Sequence, residues 1–108
     1  MMERAVHIAS PEGELDIATV GEVDRALHVA YGDHVIVDLR RVSFVDSVAL
    51  SRFVVAARQH EAAGSRVILA GARGPVRRVL AITHLDDVLP YADDVEGARA
   101  IVASLTEA

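Results

Sequence analysis

Apolar and polar residues alternate along this chain in blocks that change period several times. Val6 and Ile8 share one face of the stretch Arg4 to Ala9, which predicts a short strand. Ser10-Pro11-Glu12-Gly13 is a turn signal, and Gly13-Glu14-Leu15-Asp16 follows it. Val20, Val23, Ala26, Leu27 and Ala30 then recur at helical spacing, with Asp16 or Thr19 as the cap and Gly32-Asp33 as the stop. His34-Val35-Ile36-Val37-Asp38-Leu39 is nearly continuous in apolar residues, the pattern of a strand covered on both faces. Arg40 to Val45 reads as a connection.

From Ser47 the period is helical again. Leu50, Phe53, Val54 and Ala57 are expected to face inward, with Ser47, Ser51 and Val55 towards solvent and Ala62-Ala63-Gly64 as the stop. Arg66 to Ala70 predicts a second buried strand. The loop Gly71-Ala72-Arg73-Gly74 leads to a short helix opened by Pro75, with Val76, Val79 and Leu80 inside. Val88-Leu89-Pro90-Tyr91 reads as an edge strand, because proline removes a ladder donor. Asp93 or Asp94 caps a last helix that turns Ala98, Ile101, Val102 and Leu105 inward. Strands alternating with helices predict an α/β domain. The expected fold is a single domain over residues 1–108, a mixed, mostly parallel sheet of about four strands with about four helices.

Composition narrows the function. Aromatics are only 4% of the 108 residues, so the core must be built from Val, Leu, Ile and Ala. A net charge of −5 gives no general attraction to phosphate backbones or anionic lipid surfaces, so neither nucleic acid binding nor membrane insertion is expected. No cysteine is present, which removes disulfides and thiolate ligands. Met-Met-Glu-Arg does not open a signal peptide, and no apolar run reaches the length of a membrane span; a cytoplasmic location is the expectation.

Most candidate chemistry fails on spacing. His7, His28, His34, His60 and His84 never fall three or four apart, so no metal site is expected. The loop at Gly71 lacks the Gly-Lys-Ser/Thr ending of a phosphate loop, so no nucleotide and no cofactor is expected. Ser47 with His60 and an aspartate lacks the strained Gly-x-Ser-x-Gly elbow of a hydrolase, and the chain is not expected to be an enzyme. One segment remains: Val42-Ser43-Phe44-Val45-Asp46-Ser47-Val48-Ala49-Leu50. An aspartate and a serine there open a helix, where backbone amides lack partners and the dipole favours anions. The competing reading is that Asp46 or Ser47 only caps the helix, since aspartate and serine are common caps.

That segment, after Val35-Ile36-Val37-Asp38-Leu39, resembles the signature of the STAS domain in anti-sigma factor antagonists. In that family an Asp-Leu strand end is followed by Phe, an apolar residue, Asp-Ser, Ser or Thr, Gly and Leu. Gly13-Glu14-Leu15-Asp16, Gly64, the strand Val67 to Ala70, and Pro75-Val76-Arg77-Arg78-Val79-Leu80 match further family features in order. The resemblance implies a protein that binds an anti-sigma factor with serine kinase activity of the GHKL type and so frees a sigma factor. It implies Ser47 as the phosphorylation site, with a phosphatase of the PP2C type reversing the modification. It implies a partner face of Asp46, Ser47, Val48 and Ser51 with Gly13, Glu14 and Asp16. Val48-Ala49 stands where the family has Ser/Thr-Gly, and the N-terminal part is short. The second reading is a STAS domain without a switch, an accessory or scaffold subunit of a transport or signalling complex.

Overall fold

The computed structural model describes residues 4–29 and 32–106. The order of elements is β1 (Val6–Ala9), β2 (Gly13–Leu15), α1 (Val20–Val29), β3 (His34–Asp38), β4 (Val42–Val45), α2 (Ser47–Ala62), β5 (Val67–Ala70), α3 (Gly74–Ile82), α4 (Leu85–Val88), β6 (Tyr91–Ala92) and α5 (Val95–Thr106). Strands β1, β3, β5 and β6 form one sheet in that order, and every neighbouring pair is parallel. Strands β2 and β4 form a separate parallel pair.

The two central strands are buried throughout, as their apolar runs require. Their alternate residues feed different cores. Val35, Val37 and Leu39, with Val67 and Leu69, join the larger cluster under α1, α2 and α3, where Leu15, Val42 and Val45 also pack. Ile36, Ile68 and Ala70 point the other way, into a smaller cluster with Ala98 and Val102 of α5. Helices thus cover both faces, which is what lets an all-parallel sheet exclude water.

The structure corrects the expected element list in four places. Val42 to Val45, expected as connection, is a strand, and Gly13-Glu14-Leu15 is its partner. Val88 to Tyr91, expected as an edge strand, divides into the end of α4 and the start of β6. Helix α3 begins at Gly74, so Pro75 is its second residue. Leu105, expected inside, is 38% exposed.

The inner stripe of α2 is also rotated. Its fully buried residues are Ala49, Phe53, Ala56 and His60, while Leu50, Val54 and Ala57 flank them half-buried. Small alanines thus share the inner stripe with Phe53 and His60, and Leu50, Val54 and Ala57 pack against the same core from its flank. Ser47, Ser51 and Val55 face solvent as expected. On α1, Val20, Val23 and Leu27 are buried; Ala30, also expected on that face, lies outside the described residues.

Candidate functional site

The site is built where two neighbouring parallel strands end and two helices begin. Strand β2 runs beside β4 with Gly13 opposite Val42, Glu14 opposite Phe44 and Leu15 opposite Val45. Between the first two pairs β4 carries an extra residue, Ser43, so the register shifts. Gly13 meets this irregularity with φ of +77°, a conformation that glycine adopts without a Cβ penalty, and its amide donates to the Arg41 carbonyl oxygen at 2.9 Å. The bulge breaks the in–out alternation. Ser43 and Phe44 both face outward, and Val42 and Val45 both face the core.

At the ends of these strands the chain turns twice in parallel. After β2, Asp16 folds its carboxylate back on its own turn: Oδ1 accepts from the amides of Ala18 at 2.9 Å and Thr19 at 3.1 Å. The Thr19 hydroxyl donates to the Glu14 carbonyl oxygen at 2.7 Å. After β4, Asp46 is the N-cap of α2, with extended backbone and Oδ1 accepting from the Ala49 amide at 2.9 Å. The Asp46 amide itself donates to the Leu15 carbonyl oxygen at 3.1 Å, which binds one turn to the other.

Ser47, the first residue of α2, is exposed, and its hydroxyl has no hydrogen-bond partner among the described residues. Ser51, one turn further on, is exposed too, but its hydroxyl donates to the Val48 carbonyl oxygen at 2.8 Å. The sequence left open whether Asp46 or Ser47 caps the helix; the structure gives the cap to Asp46 and leaves the Ser47 hydroxyl free. The Ser47 and Val48 amides likewise meet no acceptor among the described residues, as expected for the first turn of a helix. Val48 is half-buried, whereas Ala49 is fully buried. The Ala49 methyl group is therefore part of the core and adds nothing to the surface beside Ser47.

Sequence reasoning missed two side chains here. Phe44 is 49% exposed beside Glu14, and Ile17 is 76% exposed in the turn after Asp16. Phe44 could have been found only by placing the bulge, since simple alternation turns it inward.

The frame under the site is anchored at the end of β3. Asp38 is buried, and burial is the largest influence on its carboxyl, opposing the charge. Arg40 outweighs it: the guanidinium donates to both carboxylate oxygens at 2.8 to 3.1 Å and the backbone amide adds a bond at 3.1 Å, holding the pKa below the usual carboxylate value. This clamp fixes the corner from which β4 departs.

Among the described residues, no three His, Asp or Glu side chains gather to hold a metal ion, and no helix is long and apolar enough to cross a membrane.

Comparison with known proteins agrees with this architecture. The family model described as the STAS domain matches residues 3–98. An anti-sigma factor antagonist from Mycobacterium paratuberculosis is similar at 25% identity, with 95% of this chain and 90% of that one covered and a TM-score of 0.80. The anti-sigma factor antagonist SpoIIAA, solved in its unphosphorylated form, is similar at 25% identity over 95% of this chain and 93% of that one, with a TM-score of 0.71. The STAS domain of a SulP transporter from Vibrio cholerae shares the fold at 20% identity, covering 99% of this chain and 86% of that one, with a TM-score of 0.70.

Proposed function

The chain belongs to the STAS domain family, and from that premise we propose that it is an anti-sigma factor antagonist whose binding is switched at Ser47. In the unphosphorylated state it binds an anti-sigma factor that is also a serine kinase of the GHKL type, and the sigma factor is set free. Phosphorylation of Ser47 releases the kinase, and a phosphatase of the PP2C type restores the binding form. The protein works in the cytoplasm, where these partners act. Its contact face is formed by Asp46, Ser47, Val48 and Ser51 with Gly13, Glu14 and Asp16, and the exposed apolar groups of Phe44 and Ile17 add area beside them.

The observation that carries this reading is the division of labour between Asp46 and Ser47. With Asp46 as the cap, the Ser47 hydroxyl is exposed and has no hydrogen bond to lose. A phosphoryl group there adds about −1.5 to −2 charge and three acceptor oxygens. It sits beside Asp46, next to the end of β2 with Glu14 and the following turn with Asp16. A partner surface fitted to a neutral hydroxyl then meets concentrated negative charge and must desolvate it. The helix start tolerates that charge, because the Ser47 and Val48 amides and the helix dipole favour an anion. The fold stays and the complex is lost.

A second reading, a STAS domain without a switch in an accessory or scaffold role, is favoured by Val48-Ala49 in place of the family's Ser/Thr-Gly. The buried Ala49 weakens it, since that substitution leaves the exposed surface unchanged. Incubation with ATP and an anti-sigma kinase of the same organism, followed by mapping of the phosphorylated residue by mass spectrometry, separates the two. A single phosphate on Ser47, absent from Ser47→Ala, supports the switch; an unmodified protein in the presence of an active kinase supports the scaffold.

A further inference from the structure

The end of the four-stranded sheet opposite Ser47 holds two buried histidines whose hydrogen bonds differ in kind. His34 opens β3 and is 3% exposed. Its Nδ1 accepts from the backbone amide of Arg66 at 3.1 Å. The next residue answers in the other direction, as the Val35 amide donates to the Arg66 carbonyl oxygen at 2.9 Å. Arg66 leads into β5, so the imidazole supplies a rung of the β3–β5 ladder from a side chain. A backbone amide can only donate, and Nδ1 must therefore present a lone pair. The bond exists only while His34 is neutral.

His60, in the last turn of α2, is fully buried as well. Its Nε2 donates to the Leu27 carbonyl oxygen of α1 at 2.9 Å. Its Nδ1 lies 2.7 Å from the Ser65 hydroxyl, which is also 3.3 Å from the His60 carbonyl oxygen. A hydroxyl both donates and accepts. Ser65 donates to Nδ1 of a neutral His60; to a cationic one it accepts from Nδ1 and turns its hydrogen to the carbonyl. The Nδ1 of His60 thus faces a hydroxyl, which can donate or accept, whereas the Nδ1 of His34 faces a backbone amide, which can only donate.

We propose that His34 is an acid-opened latch: protonation of its Nδ1 expels the Arg66 amide and parts β3 from β5 at this end of the sheet, while the bonds around Ser47 persist. The surroundings of His34 resist that proton. Burial is the main cause, and the guanidinium groups of Arg4 and Arg66 and the ring of His60 act with it, so the pKa lies below the ordinary histidine value. Asp33, in the turn before β3, acts the other way. Its carboxylate is already engaged by the Ala5 amide and His7 Nε2, each at 3.0 Å. The unfolded chain takes up the proton near the ordinary value of about 6.5, the folded chain only below it. Stability from the latch is therefore complete above that value and is lost as pH falls from it towards the folded pKa.

Amide hydrogen exchange followed by NMR tests this on the whole chain. After correction for intrinsic exchange, the opening constant at the Arg66 amide is expected to rise by up to about tenfold per pH unit as pH falls from about 6.5 towards the folded pKa of His34, and to level off below it. The Ala49 amide, held by Asp46, is expected to stay protected over the same range. In His34→Asn the amide oxygen takes the place of Nδ1 and does not titrate, so the pH dependence at Arg66 should vanish. Imidazole nitrogen shifts of the wild type report the tautomer without any variant, and an unprotonated Nδ1 at neutral pH is expected. A protonated Nδ1 at neutral pH, an Arg66 amide equally protected through the acid range, or an unchanged pH dependence in His34→Asn would each overturn the latch.

Discussion

The backbone amide of Asp46 donates to the carbonyl oxygen of Leu15 at 3.1 Å, so the helix start that carries Ser47 hangs directly on the end of β2, between Glu14 in the strand and Asp16 in the turn after it. The bond is between main chains and survives substitution of the side chains on either turn. It closes the β2–β4 ladder at its last pair, Leu15–Val45, immediately before α2 begins. Charge placed on Ser47 is thereby presented on a fixed surface rather than on a free loop.

Removing the cap should cost stability without dismantling that surface. Asp46→Ala leaves the Ala49 amide without its acceptor and should destabilise the fold by about 0.5–2 kcal/mol. Asp46→Asn keeps an oxygen in the same place and should recover most of the loss, since asparagine caps about as well as aspartate. Urea denaturation of the two variants separates the hydrogen bond from the charge; equal losses in both would show that the charge, not the cap, was the stabilising element.

Phe53 is 0% exposed at the centre of the inner stripe of α2. Phe53→Ala should cost about 3–5 kcal/mol through lost burial and the cavity left behind. Val55, on the outer face and 47% exposed, should tolerate alanine within about 0.5 kcal/mol. Chemical denaturation of both variants checks which face of the helix meets the core, because a reversed order would place the Val55 face inward.

Gly71 holds φ of +74°, and a Cβ built there would lie 2.8 Å from Cγ of Arg40 and 3.4 Å from the Asp38 carboxylate. Gly71→Ala should therefore destabilise by about 1–3 kcal/mol, from backbone strain and from displacement of the Arg40 stem. Because the methyl group and Arg40 compete for one space, Gly71→Ala and Arg40→Ala should combine to less than the sum of their separate costs. Thermal unfolding of the three variants measures the coupling; strict additivity would mean that Arg40 gives way freely.

How much of this was legible in the sequence follows the physics of each element. The buried strands β3 and β5 were, because a run such as Val35-Ile36-Val37 has no comfortable place outside a covered sheet. Strand β4 was not: the bulge at Ser43 turns two adjacent residues outward, and a strand with one three-residue partner leaves no alternation to detect. Helix α4 has four residues, too few for a helical period, and Pro90 lent its neighbourhood the look of an edge strand. The stripe of α2 was displaced because its buried alanines carry little hydrophobic signal, while Leu50 and Val54, only half-buried, carry more. At the site, Asp46 and Ser47 were visible as a pair that suits a helix start. Which of the two holds the cap depends on where one carboxylate oxygen points, and adjacent residues with similar capping preference give no sequence signal for that.

The central claim is that phosphate on Ser47 ends binding while the fold remains, and one titration tests it. Protein carrying phosphoserine at Ser47, unmodified protein and Ser47→Ala are each titrated calorimetrically into an anti-sigma kinase of the same organism, with circular dichroism as the control for folding. The account predicts matching circular dichroism for all three, similar affinity for the unmodified and Ala forms, and a loss of at least about tenfold, or about 1.4 kcal/mol, for the phosphorylated form. Equal affinity of all three forms would contradict it.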